Sequence, residues 1–216
     1  MDSKADASNT TQKNRAAVLN TPNLITLTRF ALSIVVFALM SHDYFYAAFW
    51  VFVIAASTDW VDGYVARRTD QVTQLGRILD PFCDKIIICG AYILIAIETS
   101  KLSGSHWSLI TGWMAVVVVG RELLVTMLRG YIEQHGGDFS ANRAGKLKMV
   151  FQCIAVGGCL LVFALENSAV PFAVSIGWIT AIAVWVAIIS TIYSGILYVF
   201  AATKMVKDLT RHGDAT

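Results

Sequence analysis

The sequence predicts an all-α, polytopic membrane protein with six transmembrane helices, and three observations predict it. Of 216 residues, 56% are hydrophobic and only 15% are charged, whereas a soluble domain carries about 25% charged residues. Six apolar stretches come close to or exceed the length of about 20 residues with which a helix crosses a hydrocarbon core about 30 Å thick. The basic residues also gather on one side of those stretches. The same composition excludes a disordered chain, which needs low hydrophobicity and high net charge. A net charge of +2, with no basic block clear of the apolar segments, excludes nucleic acid as a partner.

Taken in order, residues 1–22 are polar, contain Asp2 and Asp6, and lack a cleavable signal pattern. They are expected to form a cytoplasmic segment, and their acidic start argues against a mitochondrial transit peptide. A transmembrane catalytic domain over 23–205 follows. Its first span runs from Leu24 to Met40 and its second from Tyr44 to Val65, joined only by Ser41–Asp43, so the two form a tight helical hairpin. The third runs from Leu79 to Glu98, the fourth from Trp107 to Leu128 and the fifth from Lys148 to Leu165. The sixth, from Phe172 to Ala202, exceeds one span and is expected to tilt or to extend into the cytosol. Residues 206–216 form a cytoplasmic tail. Cys83, Cys89, Cys153 and Cys159 all lie in apolar runs at spacings that suit neither zinc nor a redox pair, and read as small buried hydrophobes.

If the N-terminus is cytoplasmic, six spans return the C-terminus to the same side. The outer loops 41–43, 99–106 and 166–171 then hold one basic residue, Lys101, and the other sixteen of seventeen fall on the inner side or in inner helix ends. That bias orients both termini inward. No internal repeat is visible, which disfavours an inverted-repeat transporter.

The chemistry is concentrated where the second span ends and the third begins. Asp59, Asp62, Gly63 and Ala66 stand at i, i+3, i+4 and i+7, on one helix face. Asp80 and Asp84, at i and i+4, share another face, and Gly76 lies one turn before Asp80. The short link predicts that the two helices are antiparallel neighbours, bringing four carboxylates to one depth. Unpaired, they would repel one another and cost several kcal/mol each in desolvation. A pair of divalent cations relieves this. Oxygen-only ligands favour Mg²⁺ or Mn²⁺ over Zn²⁺, and two such ions commonly serve displacement at phosphorus. Gly63 and Ala66 leave the helix surface bare, and Arg67 can reach a phosphate bidentately. The plainer alternative makes the aspartates caps or interfacial charges, and Asp80 before Pro81 does resemble an N-cap followed by a first-turn proline.

This run resembles the signature of the CDP-alcohol phosphatidyltransferase family, D-x2-D-G-x2-A-R-x8-G-x3-D-x3-D, at every defining position from Asp59 to Asp84. The six-span layout is similar to the helical bundle of that family. The resemblance implies transfer of a phosphatidyl or similar group from a CDP-linked donor to an alcohol, with release of CMP, by a homodimer. It implies that Asp59, Asp62, Asp80 and Asp84 ligate two metal ions and that Asp84 is also the general base. Gly63 and Arg67, with Ala66 and Gly76 of the signature, are implied on the CDP-donor side. Thr73 and the Pro22-Asn23 segment resemble further nucleotide contacts.

Other segments address the acceptor. Pro22-Asn23 through Arg29, Arg121-Glu122 with Leu128-Arg129, and Gly145-Lys146-Leu147-Lys148 with Gln152 resemble phosphatidylglycerophosphate synthases, although Met149 stands where a Thr is common. An acceptor carrying its own phosphate needs fixed cations, and Arg121, Arg129, Lys146, Lys148 and Arg29 are the candidates. Each could instead be an interfacial anchor, and Lys146 and Lys148, two apart, cannot both point one way on a helix. The expected reaction joins CDP-diacylglycerol and glycerol 3-phosphate at the cytoplasmic face of a bacterial inner membrane. The alternatives are the same chemistry on another acceptor, as in cardiolipin or phosphatidylinositol-phosphate synthases, and a divalent-cation transporter.

Overall fold

The structure is a computed structural model that describes residues 21–65, 74–102, 109–134, 143–166 and 173–213; within these, side chains at 21–26, 58–65, 74–81, 84, 133, 143–146, 166, 173 and 206–213 lie outside the description. The described residues form six α-helices and no strand. They are α1 (Thr21–Ser41), α2 (Phe45–Val65), α3 (Gln74–Lys101), α4 (Gly112–Gln134), α5 (Arg143–Glu166) and α6 (Ala173–Gly213). Each apolar run becomes helical because a helix satisfies its backbone polar groups within the segment.

The expected hairpin is present. α1 ends in a left-handed Asp43 with φ 61°, a conformation that a short polar side chain tolerates. Tyr44 N–H donates to the Leu39 carbonyl at 2.9 Å and Asp43 N–H to the Met40 carbonyl at 3.1 Å. That pair of bonds is a Schellman motif, and it closes the orphan carbonyls of the helix end.

Several boundaries differ from the sequence expectation, α5 for one beginning at Arg143 rather than Lys148, and three of them are informative. The fourth helix starts at Gly112, not Trp107, and Leu109 and Ile110 are buried but not helical. Apolar composition alone does not separate a buried extended segment from a helix. Thr111 supplies the start, its carbonyl accepting the Ala115 N–H at 3.1 Å, as an N-cap residue does. α6 is 41 residues long, roughly 60 Å at about 1.5 Å per residue, so it does run past one span. α3 begins at Gln74, which places Pro81 in the helix interior. Asp80 is therefore not an N-cap. Pro81 leaves the Arg77 carbonyl without its usual helical donor.

The helices pack as two four-membered rings. α1 packs on α2 and α3, and α5 packs on the same two helices, closing the first ring. α4 packs on α3 and α6, and α6 packs on α5, closing the second around the shared α3–α5 edge. Among the described residues α1 and α5 each pack on both α2 and α3, and α2 and α3 make no extensive direct contact. Phe45 packs on Phe163 with ring centroids 5.1 Å apart, and a Cβ on Gly157 would stand 3.7 Å from the Phe49 ring. α2 and α5 therefore run antiparallel. The core of the rings includes Met40, Phe52, Tyr92, Ile95, Met114, Leu160 and Ile188, all buried.

A close helix approach is at Gly158, where an added Cβ would lie 2.7 Å from Thr180 Oγ1 and 3.0 Å from its Cγ2. Thr180 is buried and stiff at χ1. Gly158→Val is expected to force α5 and α6 apart and cost about 1–3 kcal/mol. A detergent-solubilised thermal melt should fall, and an unchanged melt would show that this contact relaxes freely.

The exterior is apolar as well. Val116, Met127, Trp178, Ile179, Ile182, Ile189 and Phe200 are all exposed. Among the described residues, Leu147–Leu165 and Val174–Met205 are long and apolar enough to cross a membrane, and Leu27–Ser41 and Phe45–Ser57 are shorter apolar helices.

Candidate active site

Two helices carry the aspartates. Asp59, Asp62 and Gly63 lie in the last two turns of α2. Gly76, Asp80 and Asp84 lie in the first three turns of α3. Because α2 and α5 are antiparallel, the aspartate end of α2 stands at the end of the bundle where α5 begins. The four aspartate side chains, and residues 66–73 with Ala66, Arg67 and Thr73, lie outside the described residues. An all-carboxylate donor set from two helices, with no imidazole or thiolate in it, fits hard divalent cations. Among the described residues, which leave out the aspartate side chains, no group of His, Cys, Asp and Glu is gathered to hold a metal.

Directly beside this region is a buried polar layer. Lys85, the residue after Asp84, donates from Nζ to the Glu122 carbonyl on α4 at 3.4 Å. Lys148 on α5 forms an ion pair with Glu122 Oε1. Arg121 Nη1 lies 3.3 Å from the same oxygen. Glu122 is 6% exposed and Lys148 4% exposed, so these charges are almost out of water. Arg121 Nη2 also donates to Ser194 Oγ on α6 at 3.1 Å, and its guanidinium carbon lies 5.2 Å from the Tyr198 ring centroid. Gly195 makes room for the arginine, since a Cβ there would stand 3.1 Å from Arg121 Cγ. Gln152 Nε2 donates to Thr191 Oγ1 at 3.0 Å, and the Thr191 hydroxyl donates in turn to the Ala187 carbonyl at 2.7 Å.

The layer has a clear place along the helices. On α4, Met114 and Val118 precede Arg121 and Glu122, and Val125 and Ile132 follow them. On α6, Val184 and Ile188 precede Thr191 and Ser194, and Tyr198 and Ala202 follow. Polar groups are thus held between two apolar clusters. Removing water there strengthens every charge interaction. Lys85, Arg121 and Lys148 bring three positive charges to one carboxylate, an excess of two. Lys85 is also within electrostatic reach of Arg129. Among the described residues Glu122 is the carboxylate facing these cations, and such an excess in a dry layer favours an anion.

The expected cations fall in different settings. Arg121 and Lys148 enter this layer from α4 and α5. Arg129, two turns beyond Arg121, is half-buried, and its Nε makes no hydrogen bond among the described residues. Arg29 is 6% exposed on α1, the helix packed on both aspartate carriers. Lys146 occupies the first turn of α5 and Pro22 and Asn23 the first turn of α1, with their side chains outside the described residues.

Sequence reasoning passed over Lys85, Glu122, Thr191, Ser194 and Tyr198 as site residues, and quoted Gln152 only as part of a motif. A signal existed. Lys148 and Gln152 are i, i+4, and Thr191, Ser194 and Tyr198 are i, i+3 and i+7, so polar stripes face each other across α5 and α6. Lys85 and Glu122 are ionisable residues inside apolar runs, which is itself a pointer to function.

The family model for CDP-alcohol phosphatidyltransferase matches residues 19–194, which takes in both aspartate helices and the polar layer through Ser194. Three relatives carry the name CDP-diacylglycerol–glycerol-3-phosphate 3-phosphatidyltransferase. That from Bacillus subtilis (strain 168) is 34% identical over 194 residues, covering 82% of this chain and 92% of its own length. That from Pseudomonas fluorescens is 40% identical over 121 residues, covering 55% and 58%. That from Escherichia coli (strain K12) is 32% identical over 146 residues, covering 65% and 76%. The chain belongs to the CDP-alcohol phosphatidyltransferase family.

Proposed function

We propose that the chain transfers the phosphatidyl group of CDP-diacylglycerol to glycerol 3-phosphate, giving phosphatidylglycerophosphate and CMP. The observation that carries this choice of acceptor is the buried layer with its excess of positive charge, tied by Lys85 to the helix of Asp84. A phosphomonoester carries close to two negative charges near neutral pH, and such a layer compensates it. An uncharged acceptor such as serine's hydroxyl end would leave the excess standing.

In the reaction, the acceptor hydroxyl attacks the phosphorus that bears diacylglycerol. A new phosphorus–oxygen bond forms, the bond to the CMP oxygen breaks, and the hydroxyl proton passes to Asp84. CMP leaves with the electron pair. Asp59, Asp62, Asp80 and Asp84 would hold two divalent cations, Mg²⁺ or Mn²⁺, which supply neutralising charge to the pyrophosphate and leaving group. Arg67, Thr73, Gly63, Ala66, Gly76 and the Pro22-Asn23 segment take the nucleotide side. Arg121, Arg129, Lys148, Lys146 and Arg29 take the acceptor phosphate, with Lys148 and Arg121 held in place by Glu122.

The site needs lipid on one side and cytosol on the other. The apolar exterior supports six spans in a bilayer, and the sixteen-to-one distribution of basic residues supports both termini and the site on the cytoplasmic face of a bacterial inner membrane. The six-span domain would cover 23–205, and the family resemblance supports a homodimer.

Arg129→Ala is expected to raise the KM for glycerol 3-phosphate about 10- to 100-fold, the worth of one charged hydrogen bond or somewhat more. The KM for CDP-diacylglycerol should barely move. A change confined to the donor would take Arg129 out of the acceptor site. The function itself is tested with purified protein, CDP-diacylglycerol and Mg²⁺ or Mn²⁺, offered glycerol 3-phosphate, phosphatidylglycerol, inositol phosphate or serine in turn. CMP release should require glycerol 3-phosphate. Release only with another acceptor would overturn the assignment, and metal flux in liposomes without any CMP release would point to transport.

A further inference from the structure

We propose that Glu122 is a positioning residue that gathers the acceptor-site cations around the phosphate of the acceptor; the proposal rests on the function assigned above. The observation behind it is a contradiction in charge. A carboxylate beside a phosphate site should weaken anion binding, yet Glu122 is buried at the centre of the cationic layer. Cations from three helices converge on this one residue. Lys148 from α5 and Arg121 from α4 share its Oε1, and Lys85 from α3 takes its carbonyl.

Like charges brought this close out of water repel strongly. Without a carboxylate between them, Lys148 and Arg121 would separate or turn toward water, and the layer would lose its spacing. Glu122 therefore holds together what would otherwise disperse. Arg121 is fixed from the other side by Ser194 and Tyr198, so the carboxylate sets the position of Lys148 against an arginine that is already anchored.

Two roles for Glu122 predict opposite signs. If it only dilutes positive charge, Glu122→Gln should bind glycerol 3-phosphate more tightly. If it positions the cations, Glu122→Gln should raise the KM for glycerol 3-phosphate by about tenfold or more, as expected for losing a charged hydrogen bond. The KM for CDP-diacylglycerol and kcat should change far less. Glu122→Asp keeps the charge on a shorter arm and should fall between wild type and Gln. Inorganic phosphate, used as a competitive probe against glycerol 3-phosphate, should lose potency in the same order.

The wild-type protein is assayed first. Absence of CMP release with glycerol 3-phosphate would overturn the function and this proposal together. With the wild type active, a KM for glycerol 3-phosphate that is unchanged or lowered in Glu122→Gln overturns the positioning role alone. An equal rise in both KM values also overturns it, because a general loss of fold would account for that. Should the Gln variant fail to accumulate, the Asp variant decides. A raised KM for glycerol 3-phosphate alone supports the proposal, and wild-type values for both substrates overturn it.

Discussion

Asp84→Asn is expected to lower CMP release with glycerol 3-phosphate by about 10²–10⁴-fold or more, the usual worth of a general base. The amide keeps the shape of the carboxylate and loses both its negative charge and its capacity to take a proton. Binding of CDP-diacylglycerol should survive in large part, because Asp59, Asp62, Asp80 and the rest of the signature remain. Single-turnover CMP release and direct donor binding separate the two effects. A variant with near-normal turnover would exclude Asp84 as the base. A variant that binds no donor would make its role that of a metal ligand first.

Lys148→Met is expected to be the most destabilising single change in the polar layer. It leaves the buried Glu122 side chain with its main partner gone. Breaking one side of a buried pair costs about 3–5 kcal/mol. Arg121, 3.3 Å from the same oxygen, should hold the loss near the lower end. Lys148→Met with Glu122→Gln removes both charges and should recover most of the stability in a thermal melt while leaving glycerol 3-phosphate turnover impaired. Recovery of both would make the pair structural only. Recovery of neither would place the cost in packing rather than in charge.

Much of this molecule is legible in its sequence, for identifiable reasons. Helix number and order follow from apolar runs, since such segments have few ways to satisfy their backbone. The α1–α2 hairpin follows from a link of only three residues. The helical placement of Asp59, Asp62, Asp80 and Asp84 on α2 and α3 follows from the apolar runs they adjoin, and i, i+3 and i, i+4 positions share a face wherever the helix lies. Other features are tertiary. Pro81 reads as a helix start in sequence, but α3 begins seven residues earlier, at Gln74. That α1 and α5 each pack on both α2 and α3 is not written in any local window. The polar layer draws on four helices, from Lys85 to Ser194, and no local window contains it. Arg121 and Lys148 were readable as cations at helix ends; that one carboxylate holds both is a property of the packed bundle.

The central claim, that this chain makes phosphatidylglycerophosphate, is tested most directly by following labelled glycerol 3-phosphate. Purified protein in mixed micelles with CDP-diacylglycerol and Mg²⁺ or Mn²⁺ should move the label into a lipid that retains the glycerol phosphate, one for each CMP released. CMP appearing without labelled lipid, or labelled lipid forming equally well without CDP-diacylglycerol, would contradict the account.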